Sequence, residues 1–271
     1  MKLGKVIVGS LLVATVLLAN SHESKSESKY TFHTYHKAHK THNGKTHWGY
    51  TGHEAPENWG DLDPKYQMCK LGKSQSPINI ASEVTVESGD LADIKFEYKV
   101  GAVSVVNNGH TVQVNVANGS SIKIDGITFE LKQFHFHTPS ENQIDGKNFP
   151  LEAHFVHASK DGRLAVVALM FEDGVENPII KKIWHRVSHK VNAKKSCGLS
   201  SEMINDLLPK DKSYYRFSGS LTTPPCSEGV RWFVLKNYSH ISASQTKEFL
   251  HMVHHENNRP IQPINARKVM K

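Results

Sequence analysis

The sequence predicts one predominantly β domain behind a short non-globular leader, and three observations predict it. Many short segments of alternating polarity are separated by Gly, Asn and Asp, the rhythm of strands joined by turns. Two of them, residues 131–137 (LKQFHFH) and 151–157 (LEAHFVH), alternate at period two with polar and apolar side chains on opposite faces. Beyond residue 45 the remaining ~225 residues suffice for one domain with a substantial core, and no internal repeat interrupts them.

In chain order, residues 1–20 come first. Lys2 and Lys5 precede an apolar run over 6–18 and then Ala19, the pattern of a signal peptide. Thirteen residues are too few for a membrane span, which needs about 20, and no cysteine follows to carry a lipid anchor. Residues 21–45 are polar and carry His33, His36, His39 and His42 at every third position. Such a segment cannot bury enough apolar surface to fold alone, so it reads as a disordered, solvated linker, with metal capture by its histidines as the competing reading. Of the formal charge of +7, the leader supplies +2 and the linker +3, leaving +2 for residues 46–271. That remainder offers no nucleic-acid surface.

Within the domain, Asn107-Asn108-Gly109-His110 forms a turn that leads into a strand over 111–116. In 131–137, Gln133, His135 and His137 share one face and Phe134 and Phe136 the other. Glu152, His154 and Val156 line one face of 151–157 in the same way. Two imidazoles at i and i+2 on one strand, with a third from a neighbouring strand, can converge on one ion and leave its fourth tetrahedral position open, the layout of a catalytic zinc site. Gln133 and Glu152 each stand two residues before a histidine on the same face. They can therefore engage the second ring nitrogen, as partners of metal-bound histidines do.

Asn177-Pro178 opens a helix that places Ile179, Ile180, Ile183, Trp184 and Val187 on one face. Residues 219–226 (GSLTTPPC) form a proline-locked segment that presents two hydroxyls on a stiff backbone. A second helix spans 242–251, where Ser242 and Gln245 make a capping-box pattern.

These motifs and their neighbours carry a family resemblance over residues 47–267. His47-Trp48-Gly49-Tyr50, Pro56-Glu57-Asn58-Trp59, Gln75-Ser76-Pro77-Ile78-Asn79-Ile80, Asn107-Asn108-Gly109-His110, the two histidine strands, Ser220-Leu221-Thr222-Thr223-Pro224-Pro225 and Asn258-Arg259-Pro260-Ile261-Gln262-Pro263 follow one another in order. In this the chain resembles the α-class carbonic anhydrases, in particular their bacterial exported branch. The resemblance implies a mainly β fold, a large, mostly antiparallel twisted sheet with short peripheral helices. It also implies reversible hydration of carbon dioxide to bicarbonate and a proton by a zinc-bound hydroxide.

Residue by residue, the resemblance makes His135, His137 and His154 the zinc ligands. Gln133, Glu152 and the backbone carbonyl near Asn257 become their outer partners. Thr222 accepts a hydrogen bond from the hydroxide and donates its own to Glu141, a carboxylate that can only accept. Val156, Val166, Leu221, Trp232 and Thr223 line the substrate pocket, and an apolar wall suits an uncharged molecule with no strong donor. Tyr50, Asn108 and Gln113 order the water network. His110 is the proton shuttle: a water of pKa near 7 loses its proton directly to solvent at only about 10³ per second, so fast turnover needs a relay. Cys69 and Cys226 pair as a disulfide, leaving Cys197 over. With the leader, this points to a periplasmic or secreted enzyme acting on a small molecule, with no membrane span once the leader is cleaved. Association as a homodimer stays open, as do two rival readings, a catalytically silent family member and a zinc-buffering protein that works through its histidine arm.

Overall fold

The computed structural model describes residues 46–271 apart from Asp90. The signal peptide expected over 1–20 and the histidine-bearing linker expected over 21–45 lie outside the described residues. Twelve strands are described: β1 (Asn79–Ile80), β2 (Lys95–Glu97), β3 (Ala102–Asn107), β4 (Val112–Val116), β5 (Ser121–Ile124), β6 (Ile127–His137), β7 (Gln143–Ile144), β8 (Leu151–Ala158), β9 (Leu164–Asp173), β10 (Tyr214–Ser220), β11 (Glu228–Leu235) and β12 (Ser239–Ile241). Ten of them form one mixed sheet with central order β10-β11-β9-β8-β6-β4-β3, flanked by β12 on β9 and by β5 and β2 beside β6. Pairing is antiparallel except where β9 meets β11 and β12, so the expected mostly antiparallel sheet is present with two parallel joints. Among the described residues the α-helices are five and short: α1 (Trp59–Leu62), α2 (Met68–Leu71), α3 (Pro178–Trp184), α4 (Ser201–Leu207) and α5 (Ala243–Val253).

Alternation divides the sheet into two apolar faces. Phe134, Phe136, Ala153, Phe155, Val167 and Leu169 point into the larger core, which the helices cover with Ile180, Ile183, Trp184, Ile204, Leu207 and Phe249. Val166, Ala168, Met170, Trp232 and Val234 point the other way into a smaller cluster, with Val156 and Leu221 packed against it. The period-two reading fails at one place, because a bulge between Leu131 and Gln133 leaves Lys132 without a partner on β8. Leu131 therefore joins the larger core with Phe134 instead of the face of Gln133.

Helix α3 starts as read, with Asn177 Oδ1 accepting from the amides of Ile179 and Ile180, but it ends at Trp184. Val187 packs on the same core from the turn beyond. The capping box of α5 forms, and the helix runs two residues further than expected before His254 closes it in a left-handed conformation. Gln245 also exchanges hydrogen bonds with the backbone of Asn177 (2.9 and 2.8 Å), tying the two helix starts together. Helix α4, capped by Ser200, has no counterpart in the sequence reading.

Cys69 and Cys226 form a disulfide across 157 residues, for which loop-closure entropy alone gives about 5 kcal/mol. Cys197 is buried and unpaired.

His157, three residues beyond the last expected zinc ligand, is a fully buried core residue. The Tyr98 hydroxyl donates to its Nε2 (2.8 Å) and its Nδ1 faces the Ala165 carbonyl (3.3 Å), so the ring is neutral. Burial pushes its pKa down to about 3. The unfolded chain takes up a proton near pH 6.5 that the folded chain refuses, so this residue's share of stability is complete above pH 6.5 and drains away from there toward pH 3. Urea unfolding at fixed zinc content should show a slope shallower by about 1.4 kcal/mol per pH unit between pH 6 and 4 in His157→Gln than in the parent. Equal slopes would show that His157 does not stay neutral in the fold.

Candidate metal centre

The register of β6 on β8 sets His135 directly opposite His154 and His137 opposite Glu152. The ligand atoms of His135, His137 and His154 lie within 4.8 Å of one another, the one such grouping of three among the described residues. Each ring faces an acceptor on its outer side, through a hydrogen bond at His135 and His137 and through a close contact without hydrogen-bond alignment at His154. His135 Nδ1 is 2.9 Å from Gln133 Oε1, His137 Nδ1 is 2.7 Å from the Asn257 carbonyl, and His154 Nε2 is 2.9 Å from Glu152 Oε1. The inner atoms are therefore Nε2 of His135 and His137 and Nδ1 of His154.

Burial pushes the pKa of all three imidazoles down, and for His135 and His154 the neighbouring histidines push it further. Neutral rings with the outer nitrogen protonated present lone pairs inward. His137 Nε2 and Glu141 Oε2, buried and 3.5 Å apart, have no hydrogen bond of normal geometry. A buried polar atom left so is costly unless something else satisfies it, and a dication does. The donor set of three neutral imidazoles with nearby carboxylates fits zinc.

Glu141 sits under this centre in the turn after Thr138. Burial raises its pKa well above the usual carboxylate range. The Arg259 amide, which donates to its Oε1 at 2.9 Å, and the Thr222 hydroxyl pull it down, while Glu152 pushes it up. Thr222, itself buried, follows a clasp in which Ser76 and Ser220 each donate a backbone N–H to the other's hydroxyl (2.9 and 3.1 Å). Gly219 permits that approach: a Cβ there would lie 2.1 Å from Ser76 Oγ. The carbonyl of Ser220 accepts from the Trp232 indole (3.0 Å), and the Thr223 carbonyl accepts from Cys226 N–H (2.8 Å).

Trp232 meets His154 edge-on at 4.9 Å, with Val166 opposite it in the parallel pairing of β9 and β11. Val156 and Leu221 complete this apolar side. Gln113 lies opposite His135 on β4, but its amide donates to Asn115 (2.7 Å). Asn108 spends its side-chain oxygen on the amides of His110 and Thr111. Tyr50 packs among Trp48, Trp59 and His255, its pKa raised by burial and then by Glu141. His110 stacks flat on Trp48, with ring centres 3.9 Å apart, and burial and then His47 and His255 bring it down to about 4.

Two residues at the site escape sequence reasoning. Arg259 is buried, with its guanidinium donating to Gln75 Oε1, Ser76 O and Cys69 O (2.9, 2.8 and 2.8 Å). Its motif was visible, but partners more than 180 residues away were not. Asn142 donates to Glu152 and had no signal beyond its place beside Glu141.

Three imidazoles on adjacent strands, His137 and His154 buried and His135 half-buried, converge as a group able to hold one zinc ion. The family model for eukaryotic-type carbonic anhydrase matches residues 54–271. A carbonic anhydrase of Neisseria gonorrhoeae is 50% identical over 230 residues, spanning 83% of this chain and 88% of that protein. One from Pectobacterium carotovorum is 48% identical over 224 residues, spanning 83% and 90%. The α-carbonic anhydrase of Thermovibrio ammonificans, solved with the inhibitor sulfanilamide, superposes with a TM-score of 0.80 at 48% identity, covering 84% of this chain and all of that one. The chain belongs to the eukaryotic-type carbonic anhydrase family, the zinc enzymes of reversible carbon dioxide hydration.

The purified protein should carry one zinc ion per chain by metal analysis. His135→Ala, His137→Ala and His154→Ala should each lose that ion and hydration activity together. Full zinc occupancy with full activity in any of the three would remove that residue from the ligand set.

Proposed function

We propose that this chain performs carbon dioxide hydration with His135, His137 and His154 as ligands, Thr222 and Glu141 as the orienting pair, and His110 as the proton relay. The observation that carries the reading is the convergence of the three imidazoles within 4.8 Å beside Glu141 Oε2, which lacks a hydrogen bond. Zinc, when bound, lowers the pKa of a water molecule to about 7 and so supplies a hydroxide nucleophile at neutral pH, a magnitude established on carbonic anhydrases themselves.

The protein does the rest. A dication at the histidines favours the ionised form of Glu141, which then only accepts. Thr222 gives its single proton to Glu141 and turns its lone pairs toward the nucleophile, fixing the direction of attack. Val156, Val166, Leu221 and Trp232 hold carbon dioxide by packing alone, so the substrate binds weakly and the charged product is not retained. Thr223 lines the mouth of that pocket, and Tyr50, Asn108 and Gln113 border the water path. Every residue so used comes from one chain, and the reading needs no homodimer. The disulfide suits an oxidising compartment, in keeping with a signal peptide over 1–20 and a periplasmic or secreted enzyme. No helix among the described residues is long and apolar enough to cross a membrane.

Thr222→Ala at equal zinc content should lower the hydration rate by at least tenfold in stopped-flow assays while the metal stays bound. Parental activity would refute the orienting role. His110→Ala should lower kcat and leave kcat/KM largely intact, because carbon dioxide is attacked before the proton is exported, and added imidazole buffer should restore turnover. A parallel fall in both constants without rescue would take the relay away from His110. The stacked pose carries a further expectation. Since burial is the first cause of the low pKa of His110, Trp48→Ala should move it from about 4 toward 6.5 by NMR titration, and no movement would show that the stack is not what holds it down.

A further inference from the structure

We infer that Asn142 is a positioning residue of the metal centre: acting through Glu152, its carboxamide holds the His154 ring in its metal-binding orientation and slows metal loss. The inference rests on the zinc reading above and extends it to a residue that touches neither metal nor substrate.

Glu152 is fully buried, and an ionised carboxylate offers about four lone-pair sites. All four are taken. Its Oε2 accepts from the backbone amides of Glu141 (2.7 Å) and Asn142 (2.9 Å). Its Oε1 accepts from Asn142 Nδ2 (2.8 Å) and faces His154 Nε2 (2.9 Å). Asn142 thus supplies two of the donors, one from its backbone and one from its side chain.

The carboxamide cannot turn away. Asn142 is fully buried, its Oδ1 accepts from the Ile78 amide (3.1 Å), and its carbonyl accepts from Ser140 Oγ (2.7 Å). An oxygen is required against the Ile78 N–H and an NH₂ against the carboxylate, so the network itself fixes which way the amide points. The turn at 140–142 therefore sends the Glu141 side chain toward the metal cavity while its amides and the Asn142 side chain pin the second carboxylate behind it. Without Nδ2, Oε1 keeps only His154, and the carboxylate is free to rotate between its remaining partners. The imidazole then loses a fixed acceptor for its outer N–H, and with it the orientation of Nδ1 toward the metal.

The test is zinc release from the loaded protein into excess chelator, measured for the parent, Asn142→Ala, Glu152→Ala and the double variant. Asn142→Ala is expected to release zinc about tenfold faster than the parent, within the range seen when outer partners of metal-binding histidines are removed. The double variant should release it no faster than Glu152→Ala, because the side chain acts only through that carboxylate. Should Asn142→Ala fail to fold, Asn142→Asp, which keeps an oxygen for the Ile78 amide and replaces the donor with an acceptor, takes its place with the same expectations. Release at the parental rate overturns the inference. So does an Asn142 effect that persists in full without Glu152, since that marks a general packing role. A parent that takes up no stoichiometric zinc overturns the metal-centre reading itself, a result distinct from either.

Discussion

The pairing of β6 with β8 is the constraint on which the rest depends. Because His135 lies opposite His154 and Phe134 opposite Phe155, one register sends the imidazoles to one face and stacks the phenylalanines on the other, with ring centres 5.0 Å apart. A slip by one residue would exchange the faces, burying imidazoles in the larger core and exposing aromatic rings to the site. The aromatic cluster, extended by Trp184 against Phe136 at 4.9 Å, thus defends the geometry of a centre it never touches. Packing and chemistry are two sides of one register.

The second theme is the cost of charge in a buried place. Glu141, Glu152, Arg259 and Tyr50 all lie in or against the site, and burial shifts each toward its neutral form. For the two carboxylates, hydrogen bonds offset this more than ion pairing does, led by the Arg259 amide at Glu141 and by the Asn142 side chain and amide at Glu152. Glu152 takes two amides and Glu141 one, while the Arg259 guanidinium donates to two carbonyl oxygens of the backbone and one of Gln75. Fixed amides cannot reorganise away, which makes them better supports for a carboxylate than a mobile lysine.

Much of this was legible in the sequence because it is local. Period two separated His135 and His137 from Phe134 and Phe136, and Ser242 with Gln245 marked the start of α5. The bulge at Lys132 was not legible, since nothing in LKQF distinguishes a bulged strand from a regular one. Nor were the parallel joints of β9, which depend on chain paths between strands. Asn108 shows the limit at the site: the family resemblance gives it a place in the water network, and only the fold reveals that its side-chain oxygen closes the turn that presents His110. Arg259 and Asn142 matter through partners that only folding brings near. The family resemblance supplied the roles; the residue pattern alone supplied the three imidazoles and their two outer partners.

The disulfide has a topological meaning beyond its stabilising effect. The covalent ring from Cys69 to Cys226 encloses β1 through β10, all three histidines, Glu141 and Thr222. A protease that cuts one exposed turn inside that ring, such as the stretch 174–176 after β9, leaves both pieces joined in one molecule. The severed ends stay tethered beside the sheet that pairs them, so the enzyme can be nicked without being taken apart. Only a second cut within the ring, or reduction of the bond, would let a fragment bearing a ligand escape.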